Sequence, residues 1–141
     1  MGTDFTYTDA RLDSRDLLDR LDELEAARDA FVDERITETV GPGELETWWA
    51  EDHPEDADEL DMLRALRDET EGYADDSWRD GVFFVANWDW KNYAQELAED
   101  IGALPKDAGW PTYCIDWDAA ARDLRMDYTS CEIDGNTYWY R

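Results

Sequence analysis

The chain has 141 residues, and its 38 aspartates and glutamates against 13 lysines and arginines give a formal net charge of −25 at pH 7. A small domain needs a net charge of only about 2–8 to remain soluble, so solubility alone does not explain this excess. An acidic coat excludes direct binding to nucleic acids and anionic membranes, whose phosphates carry charge of the same sign.

Residues 1–80 are predicted to form an acidic αα-hairpin. A first helix begins at Asp13 or Ser14, and a second has Pro54 at its first helical position. Between them residues 41–43 (Gly-Pro-Gly) break the chain, and a short helical turn follows. In both helices apolar residues recur at helical spacing, which places them on one face. Those residues are Leu17, Leu21, Leu24 and Phe31, then Ala57, Leu60, Leu63 and Leu66.

Residues 81–141 are predicted to form a small α+β unit of two helices and a short antiparallel sheet. The apolar run over residues 81–86 predicts a buried strand. Asn87 and Asp116 are the predicted N-caps of the two helices, because short polar side chains accept the free N–H groups there. Asp134-Gly135 between alternating apolar runs predicts a hairpin turn. The inner faces are predicted to be Trp90, Ala94, Leu97 and Ile101, then Trp117, Ala120, Ala121 and Leu124.

The whole chain is therefore predicted to be α+β, with the N-terminal hairpin packed on or extending from the C-terminal unit. Eight Trp, seven Tyr and four Phe distinguish it from a disordered acidic tail, which has few aromatic residues. Residues 1–10 are polar and are expected to be loosely held. No run approaches the roughly 18 apolar residues of a membrane span, and the start lacks the features of a signal peptide. We expect a cytoplasmic protein.

No catalytic or metal-binding pattern is found in the sequence. His53 is the only histidine, and its position before Pro54 predicts a capping or solvated role. Cysteine and histidine spacing matches no zinc site, and there is no glycine-rich phosphate loop. The acids of residues 52–61 lack the central glycine and the spacing of a calcium loop. We expect no enzymatic activity, no cofactor and no dedicated metal site.

The acids are densest in the middle of the chain. Residues 41–80 hold 15 acids and 3 bases, against 12 and 5 in residues 1–40 and 11 and 5 in residues 81–141. Like charges three residues apart on a helix, such as Asp58 and Asp61, cost a few tenths of a kcal/mol. A solvated helix face is the ordinary explanation of a charge run. The scarcity of compensating lysine, with two in the chain, favours a partner-binding surface instead.

The acids of the first predicted helix are spaced like DNA phosphates. A helix from Asp13 to Glu38 would be roughly 39 Å long at about 1.5 Å per residue. Its ten acids would lie about 4 Å apart, close to the roughly 3.4 Å between charges along one DNA strand. Four arginines dilute this helix. The stretch from Glu51 to Asp80, with 13 acids and three arginines, is less diluted.

Three stretches in the last third of the chain form a recognisable pattern. They are residues 93–102 (YAQELAEDIG), residues 113–124 (YCIDWDAAARDL), and an ending with Asp127-Tyr128 and residues 135–140. Over about 50 of the 141 residues, this pattern resembles the C-terminal domain of ArdA-type antirestriction proteins. The resemblance implies a DNA mimic that occupies the DNA groove of a type I restriction–modification enzyme. Phage proteins of this kind join the same ending to an acidic helical arm.

Two arguments select the carboxylates of the expected mimic surface. The density of acids selects Asp58, Asp61, Asp68, Glu69, Glu71, Asp75, Asp76 and Asp80. The resemblance implies Glu96, Glu99, Asp100, Asp118, Asp123 and Asp127. It also implies Asp116, for which we expect the role of helix cap instead.

Two hypotheses of different class follow. The first is a phage DNA mimic that binds a basic DNA-binding host defence protein, of restriction–modification or CRISPR type, as a monomer or a homodimer. The alternative is a generic interaction protein of a halophile, because halophiles coat proteins with acid and avoid lysine. The two lysines against eleven arginines of this chain fit that alternative. A small acidic enzyme ranks third, since no nucleophile–base pattern is found.

Overall fold

The α+β prediction is confirmed, with helices predominating in the N-terminal part and strands of a four-stranded sheet in the C-terminal part. The computed structural model describes residues 5–71, 77–104 and 109–141. In chain order its elements are β1 (Arg11–Asp13), α1 (Ser14–Arg35), α2 (Pro42–Asp52), α3 (Pro54–Thr70), α4 (Ser77–Asp80), β2 (Phe83–Ala86), α5 (Trp90–Asp100), α6 (Trp117–Arg125), β3 (Thr129–Ile133) and β4 (Asn136–Tyr140).

The chain divides into two compact units. The first contains residues 13–81, and the second combines residues 6–12 with residues 82–141. The segment before α1 therefore belongs to the C-terminal unit, where Ala86 N–H donates to the carbonyl of Ala10 at 2.7 Å. The prediction that residues 1–10 are loosely held is wrong for residues 7–10, and residues 1–4 lie outside the described residues. The partner strand of this segment lies far along the chain, so local periodicity gives no sign of the pairing.

The first helix begins at Ser14, one of the two predicted starts. Asp13 accepts the backbone N–H of Arg15 at 2.9 Å, which satisfies one of the donors left free at a helix start. The helix ends at Arg35, before the Glu38 of the length estimate, because Ile36 has extended backbone angles. Its buried stripe consists of Leu17, Leu21, Leu24 and Val32.

The predicted hairpin contains a third full helix. The short turn expected after residues 41–43 is the 11-residue α2, which has Pro42 at its start and buries Leu45 and Trp49. Helices α1, α2 and α3 all pack against one another. His53 separates α2 from α3, since the residue before a proline disfavours helical angles. The expected stop of α3 at Gly72 lies outside the described residues.

A buried polar network attaches α4 to the helices of the first unit. Trp78 is fully buried, and its indole N–H donates to Thr70 Oγ1 at 2.9 Å. Thr70 in turn donates to the carbonyl of Leu66 at 2.7 Å. Ser14, at the start of α1, donates to the carbonyl of Trp78 at 2.9 Å. Each of these buried polar groups therefore has a hydrogen-bond partner. A buried polar group without one would destabilise the folded state.

The hairpin of β3 and β4 forms at the predicted turn. Ile133 pairs with Asn136, which leaves Asp134 and Gly135 as a two-residue loop with φ angles of 52° and 84°. Two positive φ angles suit a tight hairpin turn, and Asp-Gly adopts them readily. Strand β4 also pairs antiparallel with β2, and the sheet order is β1-β2-β4-β3.

Tyr138 fastens the N-terminal segment to the sheet. Its side chain is buried in the second unit, and its hydroxyl donates to the carbonyls of Asp9 at 2.7 Å and Tyr7 at 3.0 Å. Burial raises the pKa of Tyr138 to about 12, so the phenol stays a neutral donor at physiological pH.

One of the two predicted helix caps is confirmed. Asp116 accepts the backbone N–H of Ala119 at 3.1 Å and caps α6. The predicted cap at Asn87 is wrong, because this residue begins a 3-10 turn before α5. Its Oδ1 atom accepts the indole N–H of Trp139 at 3.0 Å instead. A distant side chain has therefore replaced the local backbone as the partner.

The core of the second unit lies between α5, α6 and the sheet. Trp90 N–H donates to the carbonyl of Ala121 at 2.7 Å, which fastens α5 to α6. Ile101, predicted on the inner face, is 70% exposed because α5 ends at Asp100 and Gly102 has φ +77°. Of the other predicted inner residues, Leu97, Trp117, Ala120 and Leu124 are half-buried. One buried cluster of this core consists of Val85, Trp90, Ala94 and Ala121, with Tyr93, Leu124, Tyr128 and Trp139 packed against it.

Candidate partner-binding surface

Four of the five exposed carboxylates of α3 lie together on one side of the helix, and the fifth is Glu55 in its first turn. Its leucines face inward, so the residues opposite them face solvent. None of the four carboxylates has an ion-pair partner among the described residues, so their charge is uncompensated. We call this set the α3 acidic face, and it consists of Asp58, Asp61, Asp68 and Glu69.

The two arginines of α3 are engaged elsewhere. Arg64 Nη2 lies 3.0 Å from Glu25 Oε1 on α1. Arg67 Nε lies 3.2 Å from Glu71 Oε2, one turn further along the chain. Both arginines are bonded to acids outside the α3 acidic face. The α3 acidic face therefore carries more net negative charge than a count of the acids and bases of the helix indicates.

A second acidic face, which the sequence reasoning discounted, lies on α1. We call it the α1 acidic face, and it consists of Asp16, Asp19, Asp22 and Asp33. All four are exposed, and within the described part of the chain none has an ion-pair partner. The signal in the sequence was the spacing of three between the first three acids, opposite the leucine stripe.

The arginines expected to dilute α1 pair with other acids. Arg20 donates from Nε and Nη2 to the carboxylate of Glu59 on α3, at 2.8 Å each. This hydrogen bonding raises the pKa of the Arg20 guanidinium above its ordinary value. Arg28 is largely buried and contacts Asp29 at 3.5 Å. The remaining two α1 arginines pair with Asp13 and Glu34.

The other acids selected by density are less uniform. Glu71 is half-buried and paired, as described above. Asp80 is exposed at the end of α4. Asp75 and Asp76 lie outside the described residues. Among the acids selected by density, four thus form one helix face, and the others that the structure describes are scattered.

The acids implied by the resemblance lie in the second unit, and two of them are paired. Glu96 lies 2.5 Å from Arg11, and Asp118 lies 3.2 Å from Lys91. The hydrogen bond that Arg11 donates to Glu96 raises the pKa of Arg11, whose Nε also contacts Asp89 at 2.9 Å. The other four are exposed and have no ion-pair partner in the described ranges: Glu99, Asp100, Asp123 and Asp127.

Positive charge is mixed with these acids on α6. Arg122 and Arg125 share the helix with Asp118 and Asp123. The acids of the second unit therefore alternate with bases, whereas Arg15, the base beside Asp16 on the α1 acidic face, is ion-paired with Asp13. This contrast makes the first unit the better candidate for an acidic binding surface.

His53 has a structural role at a helix junction, and the described residues show neither a metal-binding group nor a membrane-spanning helix. His53 Nδ1 lies 3.2 Å from the carbonyl of Trp49, and the two rings stack at 5.7 Å, so the histidine packs at a helix junction. Over residues 5–71, 77–104 and 109–141, no group of three or more His, Cys, Asp or Glu could hold a metal ion. Within the same ranges no helix has the length and apolar character needed to cross a membrane.

The exposed carboxylates of the two faces can accept charge-assisted hydrogen bonds from lysines and arginines of a partner. They stand on packed helices, so their positions are set before binding. Neither a protein-family model, nor a curated protein, nor a solved structure matches this chain.

Proposed function

We propose that this chain is a DNA mimic that inhibits a DNA-binding defence complex by occupying its DNA groove. The favoured target is a type I restriction–modification enzyme, and the alternative target is a CRISPR effector. The observation that carries the proposal is the pair of uncompensated acidic faces on α1 and α3. On this proposal the protein is phage-encoded, acts in the host cytoplasm, and needs no cofactor or enzymatic activity.

The spacing of the acids supports mimicry of a phosphate backbone. Asp16, Asp19 and Asp22 follow each other at three-residue steps, an axial rise of about 4.5 Å. Phosphates along one DNA strand lie roughly 3.4 Å apart along the axis. A basic channel that binds DNA would therefore contact a row of negative charges whose spacing is close to that of DNA phosphates.

The packing of the helices supports tight binding by these acids. The Arg20–Glu59 and Arg64–Glu25 pairs connect α1 to α3 on the flanks of their contact. The two acidic faces are therefore parts of one packed unit. A surface ordered before binding loses less conformational entropy on association than a disordered acidic tail.

The residues of the second unit have a subsidiary place in the proposal. Their assignment depends on the ArdA resemblance of residues 93–141, and Glu96 and Asp118 would have to exchange an internal partner for an external one. We therefore assign the main binding energy to the first unit.

The experiment measures binding to a purified type I methyltransferase core, in competition with its DNA. The test variant neutralises the α3 acidic face by D58N, D61N, D68N and E69Q. The control variant makes the same change in total charge at exposed acids outside both faces, by E38Q, E51Q, E132Q and D134N. Neutralising the face should raise Kd roughly 100-fold, against less than about threefold for the control.

The salt dependence provides a second readout. Log affinity should fall linearly with log salt between 50 and 500 mM, as for the DNA itself. Equal losses in the two variants, or binding that is indifferent to salt, would contradict the proposal. Binding to a purified CRISPR effector with the same variant pattern would favour the alternative target.

The halophile alternative rests on the two lysines against eleven arginines. It is tested by circular dichroism in low salt and in concentrated salt. Loss of helix at low salt would favour it, because unscreened acids would then repel one another. A mimic should remain folded at both concentrations.

A further inference from the structure

The second unit contains a groove whose lining is basic. Its volume is about 310 Å³, and it lies where the start of α5 meets α6. The residues around it are Asn87, Trp90, Lys91, Asp118, Ala121, Arg122 and Arg125.

The charge of this groove opposes that of the chain. Residues 81–141 contain five bases and eleven acids, yet three of the bases and one of the acids line the groove. That acid, Asp118, lies 3.2 Å from Lys91 and is neutralised by it. The two arginines therefore leave the groove with positive charge in a protein of net charge −25.

The donors of the two arginines are not consumed by carboxylates. Arg122 is exposed and has neither an ion pair nor a hydrogen bond with the residues that the structure describes. Arg125 contacts Asn87 Oδ1 at 3.5 Å and lies 5.4 Å over the ring of Trp139. These contacts orient Arg125 but leave its charge uncompensated.

A third donor is positioned by the sheet. Asn87 Oδ1 accepts the indole N–H of Trp139 at 3.0 Å, which leaves the Nδ2 donor of the same amide for another partner. The groove thus combines two guanidinium groups, one ammonium group and one amide.

The helices that carry these groups are fixed to each other. The bond from the Trp90 indole to the carbonyl of Ala121 is 2.7 Å long, and both residues are buried. Arg122 and Arg125 follow Ala121 on α6, three residues apart and thus neighbours on the helix surface. The backbone positions of both arginines are therefore fixed before any ligand arrives.

We propose that this groove binds a phosphate group, either as free phosphate or as the terminal phosphate of a nucleotide. Guanidinium groups form paired hydrogen bonds with phosphate oxygens, and the charge of the ligand would compensate that of the two arginines. This site is independent of the DNA-mimic proposal, because it has the opposite sign of charge and uses no residue of the α1 or α3 acidic face.

The test is a titration of the full chain with inorganic phosphate and, separately, with adenosine monophosphate, followed by NMR. Sodium chloride holds the ionic strength constant. The backbone amides of Lys91 and Arg125 and the Nε–H of Arg122 should shift and saturate, with Kd on the order of millimolar. Tighter binding of the nucleotide would assign the phosphate to a nucleotide, and equal binding would assign it to free phosphate.

The variant R122Q/R125Q should raise this Kd at least about tenfold, because both guanidinium groups are lost. The single variant R122Q changes a side chain that makes no fold-stabilising contact with the described residues. It should give part of the increase in Kd. The control R35Q/R141Q alters the total charge equally at residues that do not line the groove, and should change Kd less than about twofold. Shifts that stay linear, or that are the same in wild type and R122Q/R125Q, would overturn the proposal.

Discussion

Arg20 donates from two nitrogens to the carboxylate of Glu59, with both distances at 2.8 Å, and so connects α1 to α3. Both side chains are partly buried, at 30% and 19% exposure. The fork geometry of this pair is more favourable than that of a single surface contact. The pair has two consequences: it stabilises the helical unit, and it removes a positive charge from the neighbourhood of the α1 acidic face.

Breaking this pair should destabilise the first unit. We expect E59Q to lower the free energy of unfolding by about 1 kcal/mol, since a partly buried guanidinium loses one of its ionised partners and keeps Glu23 and Asp56. Urea denaturation of E59Q, R20Q and the double variant would measure the coupling. D58N is the matched control, because Asp58 is adjacent in sequence, exposed and unpaired, and it should change stability by less than about 0.5 kcal/mol. Equal effects of E59Q and D58N would refute the prediction.

Asp13 should make stability depend on pH in the acid range. The hydrogen bond from Arg15 holds the pKa of Asp13 below its ordinary value of 3.8. A carboxyl with a lowered pKa in the folded state stabilises the protein above its unfolded pKa, and this contribution is lost as pH falls through the folded value.

The variant D13N tests the effect of Asp13 on stability. It keeps an amide oxygen for the cap but removes the charge, so it should be less stable than wild type at pH 7, and the difference should shrink as pH falls below 3.8. D13A should cost about 1 kcal/mol at pH 7 through loss of the cap. A difference between D13N and wild type that stays constant from pH 7 to pH 2 would show that the charge of Asp13 contributes nothing.

The buried network around Trp78 should dominate the stability of the first unit. W78F removes the indole N–H bonded to Thr70 and leaves unfilled volume, so we expect a loss of about 2–3 kcal/mol. W48F is the control, since Trp48 is 44% exposed and its replacement should cost less than about 0.5 kcal/mol. The measurement is urea denaturation followed by helix circular dichroism. A loss below that of W48F would contradict the network's assigned role.

Tyr138 should hold the N-terminal segment in place. Y138F leaves two partly buried carbonyls without their donor, and we expect a loss of about 1–2 kcal/mol and faster hydrogen exchange at Ala86, whose amide bonds to Ala10. Y113F is the control, because Tyr113 is 73% exposed. An unchanged rate of amide hydrogen exchange at Ala86 in Y138F would show that Tyr138 does not hold the N-terminal segment in place.

The same tyrosine predicts alkaline instability. Its pKa of about 12 lies above the ordinary value of 10.0, so its contribution is complete below pH 10 and disappears as pH rises towards 12. Y138F should therefore show a weaker loss of stability than wild type between pH 10 and pH 12. An identical loss in both proteins would remove Tyr138 as the cause.

The α1 acidic face should contribute to binding if the proposed function holds. D16N, D19N and D22N together should raise Kd for the restriction enzyme roughly 10- to 100-fold and reduce the salt dependence, because fewer counterions are exchanged. The control is E38Q, E132Q and D134N, with the same change in charge. Equal binding by the two triple variants would limit the surface to α3.

Local signals in the sequence led to correct predictions where the partner is also local. Asp116 caps the helix that follows it, and Asp134-Gly135 forms the hairpin turn between its own flanking strands. In each case the group that decides the conformation lies within a few residues, so the residue types alone were enough.

Predictions were wrong where the deciding partner is distant. Asn87 bonds to an indole 52 residues later instead of capping a helix. Arg20 bonds 39 residues ahead, so counting it as a charge that dilutes α1 misjudged that face. A count of acids and bases along a helix gives its net charge but not which acids the bases pair with. Only tertiary packing determines which acids remain uncompensated.

The bond between Tyr138 and Asp9 spans 129 residues, and the whole helical unit of residues 13–81 lies between its ends. During synthesis, α1 to α4 can pack as soon as they leave the ribosome, while β1 must wait for a strand made much later. Assembly of the sheet is therefore the slow, topologically distant step. A ribosome-stalling series would detect the helical unit folding first, and the N-terminal segment becoming protected only after β4 has emerged.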